Sequence, residues 1–388
     1  MFFSTGIIIS FFLLAILLGK KNKTEADRFL AAWLFCIGLH LTFFYLFVSG
    51  LLLSHYPFLL GFEKSLPLLH GPFLYLYTSS LTDQVSHRRA RFLHLLPALL
   101  TYIPILGFLF SSPENKIFVY TNKGVGYDWY SVPLSLAYIL SGIVYVFLSL
   151  QKLFRHQKKI TDQFSNIDKI NLDWLRYLIF GLGIIWVAVI YGNDTLIYSL
   201  VVVYVLFIGY FGIKQTGIFS HHGPLPGDLP ENPPLTEEIT APYPPPGQTD
   251  SGTNMEKGKY LKSGIDDTEL HHIHEQLTNL MHQEKVYTNP DLTLGDVAQQ
   301  LHVHPNYLSQ AINSISNKNF YDYINSHRVE AFSRSVKDVK NQKFTLLTLA
   351  LESGFNSKTS FNRNFRKVTG LSPSQYLSQV NANYDREK

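Results

Sequence analysis

Long apolar runs dominate the first 213 residues of this 388-residue chain and restrict its fold more than any other feature. A helix needs about 20 mostly apolar residues to cross the hydrocarbon core of a bilayer. Only 16% of the residues are charged, whereas about 25% is usual in a soluble domain, so a single soluble domain is excluded. We interpret seven runs as transmembrane helices: Phe2–Gly19, Phe29–Leu53, Phe58–Leu81, Phe92–Phe110, Tyr130–Leu150, Leu175–Gly192 and Thr195–Ile213.

Basic residues in the loops predict how these helices cross the membrane. The loops after the first, third and fifth runs hold twelve Lys and Arg residues, while the alternate loops hold only Lys116 and Lys123, with Lys64 near the outer end of the third run. Because basic loops resist translocation, we expect the N-terminus outside and residue 214 onward in the cytoplasm. No basic residue precedes the first run and no small-residue cleavage site follows it, which favours a helix over a signal peptide.

Five polar residues inside or near the predicted helices are candidates for a ligand or proton site, because polar groups are costly in hydrocarbon. A structural interpretation stays open for each of them, since an interfacial carboxylate or ammonium, or a histidine bonded to a carbonyl group, needs no function. These residues are His40, Glu63, Lys64, His70 and His94.

Residues 214–265 separate the apolar half from a soluble half. Nine of the 19 prolines of the chain lie between Pro224 and Pro246, and large apolar residues are few there. Such a segment cannot bury enough surface to offset its ordering entropy. We therefore predict a disordered, extended linker.

The sequence gives little sign of an enzyme or of a bound cofactor. Cys36 is the only cysteine, which excludes a disulfide framework and a Cys-based metal site. His271 with His274 or Glu275 could share a helix face as metal ligands, but a solvated polar face is favoured because no fourth ligand is evident. No Gly-rich phosphate loop or nucleophile triad stands out either, so no enzymatic activity and no cofactor are predicted.

Two related helix–turn–helix patterns follow the linker. In the first, Thr293 and Asp296 form a capping box, and Pro305 can open a second helix because its missing N–H would be unpaired there. In the second, Thr345 caps a helix, Gly354 supplies the tight turn and Ser357 caps the following helix. The outer side of each second helix is polar, so each can enter a major groove and contact base edges.

A long helix over Tyr321–Asp338 is predicted to connect the two patterns. About 17 residues span about 25 Å, which with the width of the units can place the two reading helices about one duplex turn apart. Between Val297 and Tyr384 the chain has ten Lys and Arg residues and four Asp and Glu residues. This excess of positive charge is suited to DNA phosphates.

Residues from about 270 to 380 resemble the C-terminal DNA-binding domain of the AraC/XylS family of bacterial transcription regulators. The resemblance is carried by Asn319–Arg328, Ala350–Phe361 and Phe365–Tyr376, and it covers a little over a quarter of the chain. Seven helices followed by this domain resemble the membrane-anchored branch of that family. The resemblance implies double-stranded DNA as a partner, and leaves RNA polymerase and a second copy of the chain open as further partners.

The family pattern also implies which side chains contact DNA. His304 departs from it by standing where a capping Ser is usual, and Ser316–Asn317 replaces the usual Thr-Gly, so we expect the first helix–turn–helix to be the less rigid one. The implied base-reading residues are Asn306, Ser309, Gln310, Lys358, Thr359 and Arg363, and the implied phosphate contacts are Arg366 and Lys367.

These observations predict an all-α protein: a seven-helix transmembrane bundle over 1–213, the linker over 214–265, and an AraC-type DNA-binding domain with two helix–turn–helix units over 266–388. The predicted function is a membrane-bound, sequence-specific transcription regulator of the bacterial inner membrane, which senses an unidentified ligand or other signal through the bundle. The alternative is a membrane transporter or lipid-binding protein whose basic cytoplasmic tail contacts anionic membrane lipid.

Overall fold

The computed structural model describes residues 2–82, 88–214, 266–341 and 343–386, and every regular element within these ranges is a helix. The predicted all-α fold is thus confirmed. The chain divides into an N-terminal unit, residues 1–156 and 172–228, and a C-terminal unit, residues 157–171 and 229–388. The predicted linker lies outside the described residues except at its first position, Lys214.

Helices of very different length build the N-terminal unit. They are α1 (Phe2–Gly19), α2 (Glu25–Val48), α3 (Leu51–Ser54), α4 (Pro67–Leu81), α5 (Arg88–Leu93), α6 (Leu96–Leu100), α7 (Leu106–Leu109), α8 (Pro113–Thr121), α9 (Asp128–Gln163), α10 (Asp173–Tyr191) and α11 (Asp194–Lys214). The last turns of α9, from Gln157, belong to the C-terminal unit.

Five helices of the described chain, α1, α2, α9, α10 and α11, are long and apolar enough to cross a membrane. A bent pair, Leu96–Leu109 with Pro113–Thr121, meets at 112° and would raise the number to six. The expected count of seven spans is therefore not confirmed. Pro97 and Pro104 remove backbone donors within the predicted fourth helix, which is broken into short pieces.

The predicted third helix, Phe58–Leu81, is also interrupted. Two 3₁₀ turns, Pro57–Leu59 and Phe62–Ser65, precede α4, which begins only at Pro67. Gly61 between these turns has a φ of 101°, a backbone conformation that side chains with a Cβ rarely adopt. The continuous apolar composition therefore predicts a longer helix than the backbone forms.

The N-terminal unit has a buried core and an apolar outer surface. The core is supplied by α1, α2, α4, α9, α10 and α11, and Trp33 and Leu34 are fully buried in it. Large apolar side chains also point outward, among them Phe12, Ile184 and Val203, which are 61%, 59% and 54% exposed. Many large exposed apolar side chains are typical of a membrane-facing protein.

The C-terminal unit is built on one helix that both helix–turn–helix units share. Its helices are α12 (Asp267–Gln283), α13 (Leu294–Gln300), α14 (Pro305–Ser316), α15 (Phe320–Lys337), α16 (Leu346–Glu352), α17 (Lys358–Thr369) and α18 (Pro373–Arg386). The first half of α15 buries Phe320 and Ile324 against α12, α13 and α14. Its second half buries Val329 and Phe332 against α16 and α17.

Candidate DNA-binding surface

The first helix–turn–helix, α13 and α14, has the caps that the sequence predicts. The Asp296 N–H donates to Thr293 Oγ1 at 3.2 Å, and the Thr293 N–H donates to Asp296 Oδ2 at 2.9 Å. α14 begins at Pro305, and Nδ1 of His304 accepts from the Asn306 N–H at 3.2 Å. His304 therefore caps α14 in place of the serine usual at that position.

The three base-reading residues predicted on α14 differ in exposure. Asn306 is exposed, whereas Ser309 and Gln310 are half-buried. The Asn313 side-chain amide donates to the Ser309 carbonyl at 2.8 Å and lies 3.3 Å from its hydroxyl. Within this trio, Asn306 is thus the side chain most accessible to a duplex.

The second helix–turn–helix, α16 and α17, also forms as predicted. Thr345 caps α16, and the Ser357 hydroxyl accepts from the Ser360 N–H at 3.0 Å to cap α17. Gly354 makes the turn with a φ of 98°. Phe361 and Phe365 face inward and pack against the ring of Phe332 on α15.

The outer side of α17 places the predicted DNA contacts together. Arg363 has 41% of its side chain exposed, and Lys367 has 61% exposed while its ammonium lies 2.6 Å from Asp322 Oδ1. The exposed predicted contacts on this helix are Lys358, Thr359, Arg363, Arg366 and Lys367. No other helix of the C-terminal unit carries as many of these predicted residues.

Arg363 is engaged by a carboxylate that the sequence analysis did not single out. Its Nη2 donates to Asp168 Oδ1 at 2.9 Å and to the Tyr321 hydroxyl at 2.8 Å. The other oxygen of Asp168 accepts from the Ser357 hydroxyl at 2.7 Å. Asp168 lies between α9 and α10, and with Asp162 at the end of α9 it is an acid in a strongly basic stretch. That departure in charge is the signal that could have identified it.

Arg328 on α15 is only 2% exposed. Its Nε donates to the Tyr287 carbonyl and its Nη2 to the Asn289 carbonyl, both at 2.7 Å. Its Nη1 and Nη2 also reach the Ser165 carbonyl at 3.2 Å and the Ser165 hydroxyl at 3.0 Å. Burial lowers the pKa of Arg328 to about 10, so the guanidinium stays charged at neutral pH.

The two histidines of α12 that were considered as metal ligands have other partners. His274 Nε2 lies 2.6 Å from the Ser316 hydroxyl, and His271 Nδ1 lies 2.8 Å from the Asp267 carbonyl. Within the part of the chain that the structure describes, no three His, Cys, Asp or Glu side chains converge on a point that could hold a metal ion.

A second candidate site is a cavity of about 560 Å³ inside the N-terminal unit. Its wall is mostly aromatic and aliphatic, and four of the five predicted intramembrane polar residues line it: His40, Glu63, Lys64 and His70. Glu63 accepts a hydrogen bond from Tyr120 and lies 3.5 Å from the Lys64 ammonium. The fifth residue, His94, is instead 3.1 Å from the Tyr145 hydroxyl.

The two cavity histidines form a linear chain of hydrogen bonds with Trp33 and Tyr198, here called the file. Trp33 Nε1 lies 3.3 Å from His70 Nδ1, His70 Nε2 lies 3.1 Å from His40 Nδ1, and His40 Nε2 lies 2.7 Å from the Tyr198 hydroxyl. An indole N–H only donates, so His70 Nδ1 accepts and the neutral ring carries its proton on Nε2. By the same logic His40 accepts at Nδ1 and donates to Tyr198.

One buried donor beside this file has no partner in the described chain. Trp186 is 7% exposed, lines the cavity, and its Nε1 makes no hydrogen bond to any described residue. Its ring packs over Gly142, where a Cβ would stand 2.3 Å from the indole. Because buried donors are normally satisfied, this N–H is available to an acceptor inside the cavity.

Comparison with known proteins identifies the C-terminal part of the chain. Residues 297–379 match the family model described as "Helix-turn-helix domain". This region is a helix–turn–helix domain of the AraC type. The matched region of this AraC-type domain contains α14, α15, α16 and α17, and therefore all eight predicted DNA contacts.

Three similar proteins are named as regulators. The melibiose operon regulatory protein of Escherichia coli K12 is 31% identical over 90 residues, 23% of this chain and 29% of that protein. Two uncharacterized HTH-type transcriptional regulators of Bacillus subtilis are 33% identical over 89 residues and 25% identical over 113 residues. These alignments cover 23% and 29% of this chain and 36% and 14% of those proteins. The chain thus spans only a minor part of the length of each relative.

Proposed function

We propose that this chain is a membrane-bound, sequence-specific transcription regulator that reads DNA chiefly through α17. The supporting observation is the exposed set Lys358, Thr359 and Arg363 on a capped helix of an AraC-type domain, with Arg366 and Lys367 on the same helix. In a major groove, an arginine can bind guanine O6 and N7 together, while basic side chains near it neutralise phosphates.

The N-terminal unit is the membrane anchor in this proposal. Five long apolar helices and an apolar outer surface support insertion, and the basic loops support an N-terminus outside with the AraC-type domain in the cytoplasm. A duplex can then bind only where the bacterial chromosome approaches the inner membrane.

Sensing is assigned to the cavity of the N-terminal unit. Its volume lies in the range of small-molecule sites. Lys64, Lys123 and Asp194 line it and belong to the side predicted to be outside. The chemistry fits a small amphipathic molecule, with an apolar body against the aromatic wall and a hydrogen-bond acceptor for Trp186.

DNA binding is tested by selection from a random duplex library with the full-length protein in nanodiscs of neutral lipid. We expect a defined sequence motif to be enriched, and Arg366→Ala to weaken binding to it. A protein whose basic residues instead serve lipid contact would enrich no motif and would bind phosphatidylserine vesicles through the same residues, which would overturn the proposal.

The ligand cavity is tested with two substitutions on α11. Val201 lines the cavity, whereas Val203 is 54% exposed on the outer surface. Native mass spectrometry of the purified full-length protein should detect a co-purified small molecule in the wild type and in Val203→Phe. Val201→Phe fills the cavity and should lose that molecule; equal occupancy in both variants would contradict the assignment.

A further inference from the structure

The last turns of α9 and the residues that lead from it to α10 belong to the C-terminal unit. Residues 157–171, here called the interhelical segment, pack with the AraC-type domain. Phe164 forms an antiparallel bridge with Thr293, the N-cap of α13. The domain therefore has a partner within its own chain, more than a hundred residues away in sequence.

Ser165 holds this segment in place through every polar group that it has. Its N–H and its hydroxyl both donate to the Leu292 carbonyl, at 3.1 and 2.7 Å. Its carbonyl accepts from the Asn325 side-chain amide at 3.0 Å and from Arg328 at 3.2 Å. Ser165 is 1% exposed, so these bonds are made away from water and fix the register of the residues that follow.

Three residues later, Asp168 reaches the reading helix α17. Its two carboxylate oxygens bind the Arg363 guanidinium and the Ser357 hydroxyl, at 2.9 and 2.7 Å. One of these groups is the arginine proposed to read a base, and the other caps the N-terminus of the helix that enters the groove. A carboxylate in this place offers Arg363 a hydrogen-bond acceptor, as a guanine edge does, together with a negative charge, as a phosphate does.

We propose that the interhelical segment and DNA compete for α17. In the DNA-free state Asp168 binds Arg363, and it must release Arg363 when the duplex binds. This inference rests on the proposed DNA-binding function. The Arg363–Asp168 pair is partly solvated, with 41% and 21% of the two side chains exposed, so it is weak enough to exchange for DNA. The segment joins two candidate membrane-spanning helices, and a displacement of their ends would change how often Asp168 is in place.

The test compares two charge-removing substitutions in the full-length protein in nanodiscs. Asp168→Asn removes the competitor, while Asp162→Asn makes the same change of charge at a half-buried residue that interacts electrostatically with Lys158. Duplexes selected in parallel by the wild type and by Asp168→Asn serve as probes, and each protein is measured on both. We expect Asp168→Asn to bind about fivefold more tightly than the wild type, and Asp162→Asn to stay within twofold of it.

Three outcomes would overturn the proposal. Equal affinity of Asp168→Asn and wild type for DNA would show that Asp168 does not compete with DNA. Weaker binding by Asp168→Asn would show that Asp168 orients Arg363 for DNA. Failure of every protein to bind any duplex would overturn the proposed function as well.

Hydrogen exchange of the wild-type protein gives an independent readout. The Ser165 amide is bonded to Leu292 without DNA, so competition predicts slow exchange that becomes faster when duplex is added. Protection of Ser165 that is unchanged in the DNA complex would contradict release of the segment.

Discussion

Arg328 and Gly354 lie against each other where the two helix–turn–helix units meet. A Cβ on Gly354 would stand 3.0 Å from Arg328 Nε and 2.3 Å from the Tyr287 carbonyl, which accepts from that same Nε. Tyr287 precedes the first helix–turn–helix, and Gly354 forms the turn of the second. The guanidinium of Arg328 and the absence of a side chain at Gly354 therefore set how closely the two helix–turn–helix units approach each other.

Gly354→Ala should destabilise the C-terminal unit strongly. The substitution places a Cβ in the left-handed region and drives it into a backbone carbonyl that cannot move aside, at a cost of about 3 kcal/mol. Gly370→Ala is the matched control, because Gly370 has a φ of 75° but no atom within 4 Å of its Cβ position, so only about 1 kcal/mol is expected. The denaturant dependence of amide exchange in α15 of the full-length protein measures both. Similar costs for the two variants would refute the close contact at Gly354.

Arg328→Met should also lower the free energy of unfolding of the C-terminal unit, by about 3 kcal/mol. The change leaves the buried carbonyls of Tyr287, Asn289 and Ser165 without this donor. Arg334→Met, on an exposed position of the same helix, controls for the loss of charge and should cost little. The same exchange measurement decides, and a cost for Arg334→Met as large as that for Arg328→Met would point to a general charge effect.

Arg363→Ala and Arg366→Ala should weaken DNA binding in different ways. Loss of a bidentate guanine contact costs about 1–3 kcal/mol on the selected duplex and relaxes specificity at one base pair. Loss of a phosphate contact weakens all duplexes alike and reduces the salt dependence. Fluorescence anisotropy on selected and scrambled duplexes at several salt concentrations separates the two. If Arg363→Ala weakened binding to both duplexes equally, Arg363 would not be a base-reading residue.

The secondary structure of the AraC-type domain could be predicted from the sequence because its signals are local. Thr293, Pro305, Gly354 and Ser357 each act within four residues, through a cap or a turn, and all four are confirmed. The interhelical segment could not be predicted in the same way. Its attachment uses the backbone of Ser165 and partners more than a hundred residues distant, which leave no periodic pattern.

Hydropathy locates apolar segments, but it does not show where the helices within them begin and end. Composition marks Phe92–Phe110 as long enough to span, yet it does not report that prolines within it break the hydrogen-bond ladder. The cavity was only partly predictable. His40 and His70 stand out as polar residues in apolar runs, whereas nothing in the sequence distinguishes Trp33 and Trp186 from other aromatic residues.

The stability of the C-terminal unit should fall as the pH drops below about 6.5. Burial lowers the pKa of His327, with further lowering by the nearby His282, Lys318 and Arg334, and opposed by Glu330. The unfolded chain then binds the proton more readily than the folded one, so stability is fully present above the ordinary pKa and is lost as pH falls towards the folded value.

His327→Gln tests this dependence, with exposed His302→Gln as its control. Urea unfolding followed by amide exchange at pH 7.5 and 5.5 should show a smaller difference between the two pH values for His327→Gln than for the wild type. A difference as large as that of the wild type would assign the pH dependence to other groups.

Reporter fusions test the predicted orientation. An alkaline phosphatase fusion near Thr121 should be active, because that loop is predicted to be outside, and a fluorescent-protein fusion at Lys262 should be bright in the cytoplasm. Cytoplasmic signal at Thr121, or extracytoplasmic signal at Lys262, would reverse the assigned topology.

The file from Trp33 through His70 and His40 to Tyr198 has a fixed polarity. Proton conduction along such a wire requires every member to receive a proton on one side and release one on the other, after which each ring flips its tautomer. An indole nitrogen cannot take part, because its lone pair belongs to the ring and it never accepts. Every donor of the file points towards Tyr198, so His40 already carries a proton on the nitrogen that faces Tyr198, and Trp33 cannot pass a proton in at the other end. The file is therefore a dead end that orients two rings rather than a route for protons.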